Sequence, residues 1–397
     1  MADNPLVVSL TASSPRAATA ARRLKTSKLR DARVAMRLTQ TELAERVGVK
    51  RQSISMYEQG QTIPEPLVME RIATEVEQPL SYFSDDAAPE FGDSSVRFFR
   101  AIGPETKRRN MACEVLGSWL ARTAKYLDEF VNYPALDLPL ALSPASGDGH
   151  YTVDEIESAA ALCRQTWGLG LGPISNMVSL LENKGVLVCR YVISDERVEA
   201  FSFWNGSKAL VFLASEKESA CRARFDAAHE LGHLILHRWV GLEDLEDKKR
   251  LKRIEREADL FAGAFLLPKA SFMAELFSTK IDAFLPLKRR WKVSIAAMVY
   301  RSKELGVVDD DQATNLYKTI SFRKWRRKEP YDDVIPLEEP QLLNRAASLL
   351  LSSGHKTADE IGLALQINRR VIEQICNLNE GALNSTTVVK EFRPTLK

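Results

Sequence analysis

Apolar residues recur at helical spacing along most of the chain, and the β-branched and aromatic runs typical of strands are confined to one short region. Short amphipathic segments follow one another from Lys28 to Phe83, separated by turn residues too closely for anything but a compact helical domain. Pro104 stands at a helix start, and Val115, Trp119, Leu120, Tyr126, Leu127 and Phe130 carry an apolar stripe toward residue 132. That stretch reads as a long spacer or dimerising helix. Helices over 153–166 and 174–183 then lead into strands at Val186–Ile193, Ala200–Trp204 and Leu210–Ala214, with Asn205-Gly206 as the hairpin turn between the last two. Beyond them the chain is almost entirely helical and ends in three short helices near 340–352, 357–365 and 369–377. The expected fold is mostly α with a small β-sheet, an α+β protein.

Breaks in this pattern suggest the domain limits. Residues 1–27 are rich in Ala, Ser, Thr and Arg and read as a mobile basic tail. A small all-α domain covers 28–84, a linker with the long connecting helix 85–149, an α+β domain 150–306, and a C-terminal helical region 307–397. A length of 397 residues agrees with two or three domains, and 45% hydrophobic residues supply a large core. A formal charge of +2 excludes a global polycation, so any attraction for nucleic acid has to be local. Five cysteines without a Cys-x-x-Cys pair point to reduced thiols, and no run is apolar and long enough to span a membrane. A cytoplasmic protein is expected.

Three of the five histidines fall at 229, 233 and 237. His229-Glu230-Leu231-Gly232-His233 places two imidazoles one turn apart on a helix that is apolar nearly all round, where they could share one zinc ion. Glu230, beside that face, could take a proton from an attacking water and hand it to a leaving amine. A third ligand should come from Ile254–Ala262. Glu255 and Glu257 lie about 200° apart on a helix, so one alone can face the metal. We take Glu255, with Asp259 four residues later placed to orient a ligating imidazole. His237 reads as a satisfied structural histidine. The strand Leu210–Ala214 could offer an edge to an extended peptide.

A second constellation lies near the start. Thr39 caps a helix that stops at Gly48, and Lys50-Arg51-Gln52-Ser53 restarts one at once, a helix-turn-helix pattern. Across residues 21–60, ten Lys or Arg face four acids, a balance that attracts phosphate. Ile54 and Tyr57 belong to the core.

His229–His233, Glu255-x-x-Ala258-Asp259 and Phe261-Ala-x-x-Phe265-Leu-Leu-Pro268 together resemble the ImmA/IrrE metallopeptidase family over about residues 150–300. Asp259 stands where Asn is common in that family. Residues 28–83 are similar to the XRE type of helix-turn-helix regulator. The first resemblance implies a zincin-like fold with zinc held by His229, His233 and Glu255. The second implies base contacts from Arg51, Gln52 and Ser55, Lys50 at the same DNA surface, and phosphate binding by Gln40. Together they imply a regulator, dimeric on operator DNA, whose endopeptidase cuts a repressor or its own linker in stress or mobile-element control. The alternative is a repressor whose peptidase-like domain senses a ligand or metal without turnover. The last helices carry mixed charge and read as a packing cap or dimer contact. Lys288–Lys292 and Arg323–Lys328 read as solvated basic faces.

Overall fold

The computed structural model describes residues 14–85, 97–99, 104–139, 149–191, 200–214, 219–241, 244–245 and 247–384. Five helices open it: α1 (Pro15–Arg22), α2 (Thr26–Ala35), α3 (Gln40–Val47), α4 (Arg51–Glu58) and α5 (Pro66–Glu75), closed by a 3₁₀ turn over Leu80–Ser84. The first corrects an expectation. Within the segment read as a mobile tail, Ser14 caps a helix whose buried Ala17, Ala20 and Ala21 pack in the head, and residues 1–13 lie outside the described ones. An alanine face carries little hydrophobic contrast, but it lets two backbones come close. Thr39 and Glu42 form a reciprocal capping box on α3, and Gly48 ends it at φ 73°, a left-handed conformation that glycine adopts without strain.

The next helix, α6 (Pro104–Asp128), is no spacer. Cys113, Leu116, Trp119, Leu120 and Leu127 sit in the same core as the head, and the Trp119 ring meets Tyr82 edge-on at 6.1 Å. Preceding it, β1 (Arg97–Phe99) falls in the expected linker and joins a four-stranded sheet. After α7 (Val153–Thr166) and α8 (Met177–Asn183) come β2 (Leu187–Tyr191), β3 (Ala200–Asn205) and β4 (Lys208–Ala214), in the order β1-β3-β4-β2. Gly206, at φ 59°, turns β3 into β4 as the Asn-Gly pair implies. The strand expected to offer a free edge is interior, with β4 parallel to β2 on one side and antiparallel to β3 on the other. Among the described residues the sheet edges are β1 and β2.

Both sheet faces are apolar, each turned to a different core. Val188, Ala200, Val211 and Leu213 face a helical core built by α9 (Ala220–Leu236), α10 (Lys248–Leu266), α11 (Lys269–Glu275), α12 (Phe284–Trp291), α13 (Ile295–Glu304) and α14 (Asp310–Phe322). Cys189, Phe201, Phe203 and Phe212 belong to the core of the head and α6, with Phe201 and Phe212 stacked 4.6 Å apart. That same core takes in α15 (Leu342–Ser352), α16 (Ala358–Leu365) and α17 (Arg369–Ile375). Residues 307–397, expected as one region, are therefore divided: α14 sits on one side of the sheet and α15–α17 on the other. Lys288, expected on a solvated face, is fully buried against Glu329 and Asp332 at 2.8 and 2.6 Å.

Candidate metal centre and nucleic-acid interface

Helices α9 and α10 cross tightly because α9 carries a glycine at the crossing. A Cβ on Gly232 would lie 3.2 Å from the Ala258 Cα and from Phe261, closer than ordinary packing allows. The close crossing brings the acidic stretch of α10 onto the histidines of α9. Glu255 Oε2 lies 3.5 Å from His229 Nε2, and Glu255 Oε1 lies 3.5 Å from His233 Nε2. The two Nε2 atoms are 3.0 Å apart. One ligand atom from each of these three residues falls within 4.8 Å of the others, a set able to hold a metal ion. Both imidazoles are 1% exposed and Glu255 19%, so what exposure the triad has lies at Glu255, on α10.

The residues around this triad orient it. Asp259 Oδ1 accepts from His229 Nδ1 at 2.8 Å, which leaves a neutral His229 with its lone pair on Nε2, toward the triad. Burial alone would raise the Glu255 carboxyl, but positive charge at the two Nε2 positions, carried by the imidazoles or by a cation held between them, outweighs that and holds it well below the usual carboxylate range. Glu230, on the turn between the two histidines, is 2% exposed, so a proton taken there stays shielded from bulk water.

Glu257 leaves the triad, as its position on α10 requires, and meets other histidines. Its Oε2 lies 3.0 Å from His237 Nε2, and its Oε1 lies 3.0 Å from His150 Nδ1. His237 Nδ1 is in turn 3.0 Å from His233 Nδ1. Burial is the main cause that lowers His237 to about 4, so it stays neutral near pH 7, and it lies outside the triad. Sequence reasoning missed His150 and weighed Glu257 only against Glu255 as a ligand. No spacing ties His150 to a residue 107 positions away.

On the head, Lys50, Arg51 and Gln52 are exposed at the first turn of α4, while Ile54 is fully buried and Tyr57 half-buried. Ser55 accepts from Gln59 Nε2 at 3.2 Å. Gln40, expected on a phosphate, donates its amide to Glu58 Oε2 at 2.8 Å. Arg33 donates to the same carboxylate at 2.6 and 3.0 Å and to the Leu38 carbonyl. These bonds clamp α4 to α2 and α3, so Gln40 here fixes the presenting helix.

Two family profiles match the chain. Residues 29–83 match a helix-turn-helix domain, and residues 181–303 match the IrrE N-terminal-like domain. The fusion read from the motifs is thus present: a helix-turn-helix of the DNA-binding regulator type, followed by a metallopeptidase-like domain. No curated protein matches the chain. Among the described residues, no helix is long and apolar enough to cross a membrane.

Proposed function

We propose that the protein is a cytoplasmic transcriptional regulator that binds operator DNA as a homodimer and carries a zinc-dependent endopeptidase, which cuts a repressor or the chain itself. The carrying observation is the meeting of His229, His233 and Glu255 within 4.8 Å, with Glu230 on the intervening turn. Two imidazoles and one carboxylate are the donor set of catalytic zinc, which keeps a fourth position for substrate or water. When bound there, zinc supplies Lewis-acid polarisation of the scissile carbonyl and activation of water. Glu230 takes the proton of the attacking water and returns it to the departing amine, while Asp259 keeps His229 turned inward. On the head, Lys50, Arg51, Gln52 and Ser55 face the major groove, with Arg51 suited to guanine and Gln52 to adenine.

The burial of Glu230 and both imidazoles favours a second reading, a sensor that holds metal without turnover. Comparing the full chain with Glu230→Gln separates the two. Zinc content is measured on both, and new peptide termini are followed by mass spectrometry in the protein itself and in a proteome-derived peptide library. We expect cleavage by the zinc-loaded wild type alone, with zinc retained in the variant. Equal yields of new termini in both, or none in either, would sink the peptidase reading.

A further inference from the structure

We infer that His237 and Glu257 are positioning residues, which hold His233 in the tautomer whose Nε2 lone pair faces His229 and Glu255, with His150 fixing the far oxygen of Glu257. The inference rests on the zinc-site reading and extends it to residues outside the triad.

The two candidate histidine ligands are oriented by different means. Asp259 reaches His229 directly, at 2.8 Å. On the other side of α9, Glu257 reaches as far as His237, one imidazole short of His233. The chain of contacts then assigns each proton in turn. A carboxylate oxygen can only accept, so the His237 Nε2 that lies 3.0 Å from Glu257 Oε2 carries the hydrogen. A neutral imidazole has one N–H, so His237 Nδ1 is an acceptor. The hydrogen in its 3.0 Å contact with His233 Nδ1 therefore belongs to His233. This leaves the lone pair of His233 on Nε2, 3.0 Å from the equally oriented Nε2 of His229 and 3.5 Å from Glu255. Two lone pairs so close repel each other unless a cation lies between them, so the tautomers favoured by the two carboxylates are those a metal requires.

Each link is held in place. His237 is fully buried and Glu257 nearly so, and the Tyr151 ring packs edge-on to His237 at 6.3 Å. Glu257 could swing away from His237 only by giving up His150, which holds its other oxygen at 3.0 Å. In the opposite tautomer His233 would carry its hydrogen on Nε2, and that nitrogen could not ligate. The relay also explains why α10 carries acids about 200° apart at 255 and 257: Glu255 meets the triad histidines, and Glu257 meets His237.

The test uses the full-length chain. In metal-free protein with labelled histidine, the imidazole nitrogen shifts should show His233 protonated at Nδ1. A hydrogen at Nε2 overturns the inference, and this spectrum decides the matter even if no variant folds. For folded variants, zinc affinity by chelator competition should fall about 10- to 100-fold in His237→Ala. It should recover largely in His237→Asn, whose amide oxygen replaces Nδ1 as an acceptor. Wild-type affinity in His237→Ala overturns the proposal, and so do equal losses in Ala and Asn, which would mean that the ring only fills space. The metal-free spectrum is readable whether or not the wild type takes zinc, so failure of the zinc reading is told apart from failure of this one.

Discussion

The helix pair α3–α4 and the pair α16–α17 share a backbone plan but not a surface. Thr357 and Glu360 form a capping box like that of Thr39 and Glu42. Nine residues after each threonine the chain turns left-handed, at Gly48 and at Gln366 (φ 51°), and two residues later Lys50 or Asn368 precedes the next helix. Leu43, Val47 and Ile54 are buried in the first pair, and Ile361, Leu365 and Ile372 at the matching positions of the second. The faces differ. Lys50, Arg51 and Gln52 are exposed, whereas Arg369 donates to the Leu383 carbonyl and pairs with Asp359, and Arg370 pairs with Glu380 at 2.6 Å. Where Ser55 is half-buried, Glu373 is buried and accepts from the backbone of Gly381 and Leu383. Caps and core positions make the motif; the first turn of its second helix is left open in the head and is tied to its own chain near the end.

The largest test of this likeness is at its core. Ile54→Ala and Ile372→Ala should each cost about 2–5 kcal/mol in urea unfolding of the full chain, and a large loss at Ile54 alone would break the equivalence. The surfaces come next. Arg51→Ala should weaken operator binding by about 1–3 kcal/mol and relax one base position, whereas Arg369→Ala should leave both unchanged in a fluorescence titration. Comparable losses would mean that both faces read DNA. The smallest effect lies in the turns. Gln366→Gly should gain up to about 1 kcal/mol by relieving a left-handed side chain, and Gly48→Ala should lose a similar amount. Thermal melts that rank these two the other way would refute the matching of the turns.

The same contrast explains what could be read from residues alone. The meeting of His229, His233 and Glu255 was legible because two imidazoles four apart on an apolar helix need a partner, and Glu255 with Asp259 repeats that spacing on the next. The first helix-turn-helix was legible from its cap, its glycine and its charge. The second could be read only as short helices of mixed charge, since Gln366 does the work that glycine usually marks and its cations are balanced by acids. Helix α1 was lost because alanines carry little hydrophobic contrast, and β1 because three residues make no pattern. The packing of α15–α17 beside the head depends on contacts such as Asn368 with Gln78 and with Glu77, about 290 positions apart, which no local reading contains.

The two-sided sheet has a consequence for synthesis. A ribosome delivers residues 342–384 after everything they cover, so the β2 edge, with Leu187 and Cys189, awaits part of its cover while the helices on the other face can already close. A nascent or prematurely stopped chain would thus display a sticky apolar edge beside a nearly finished head, which is the kind of surface that chaperones hold and quality-control proteases clear.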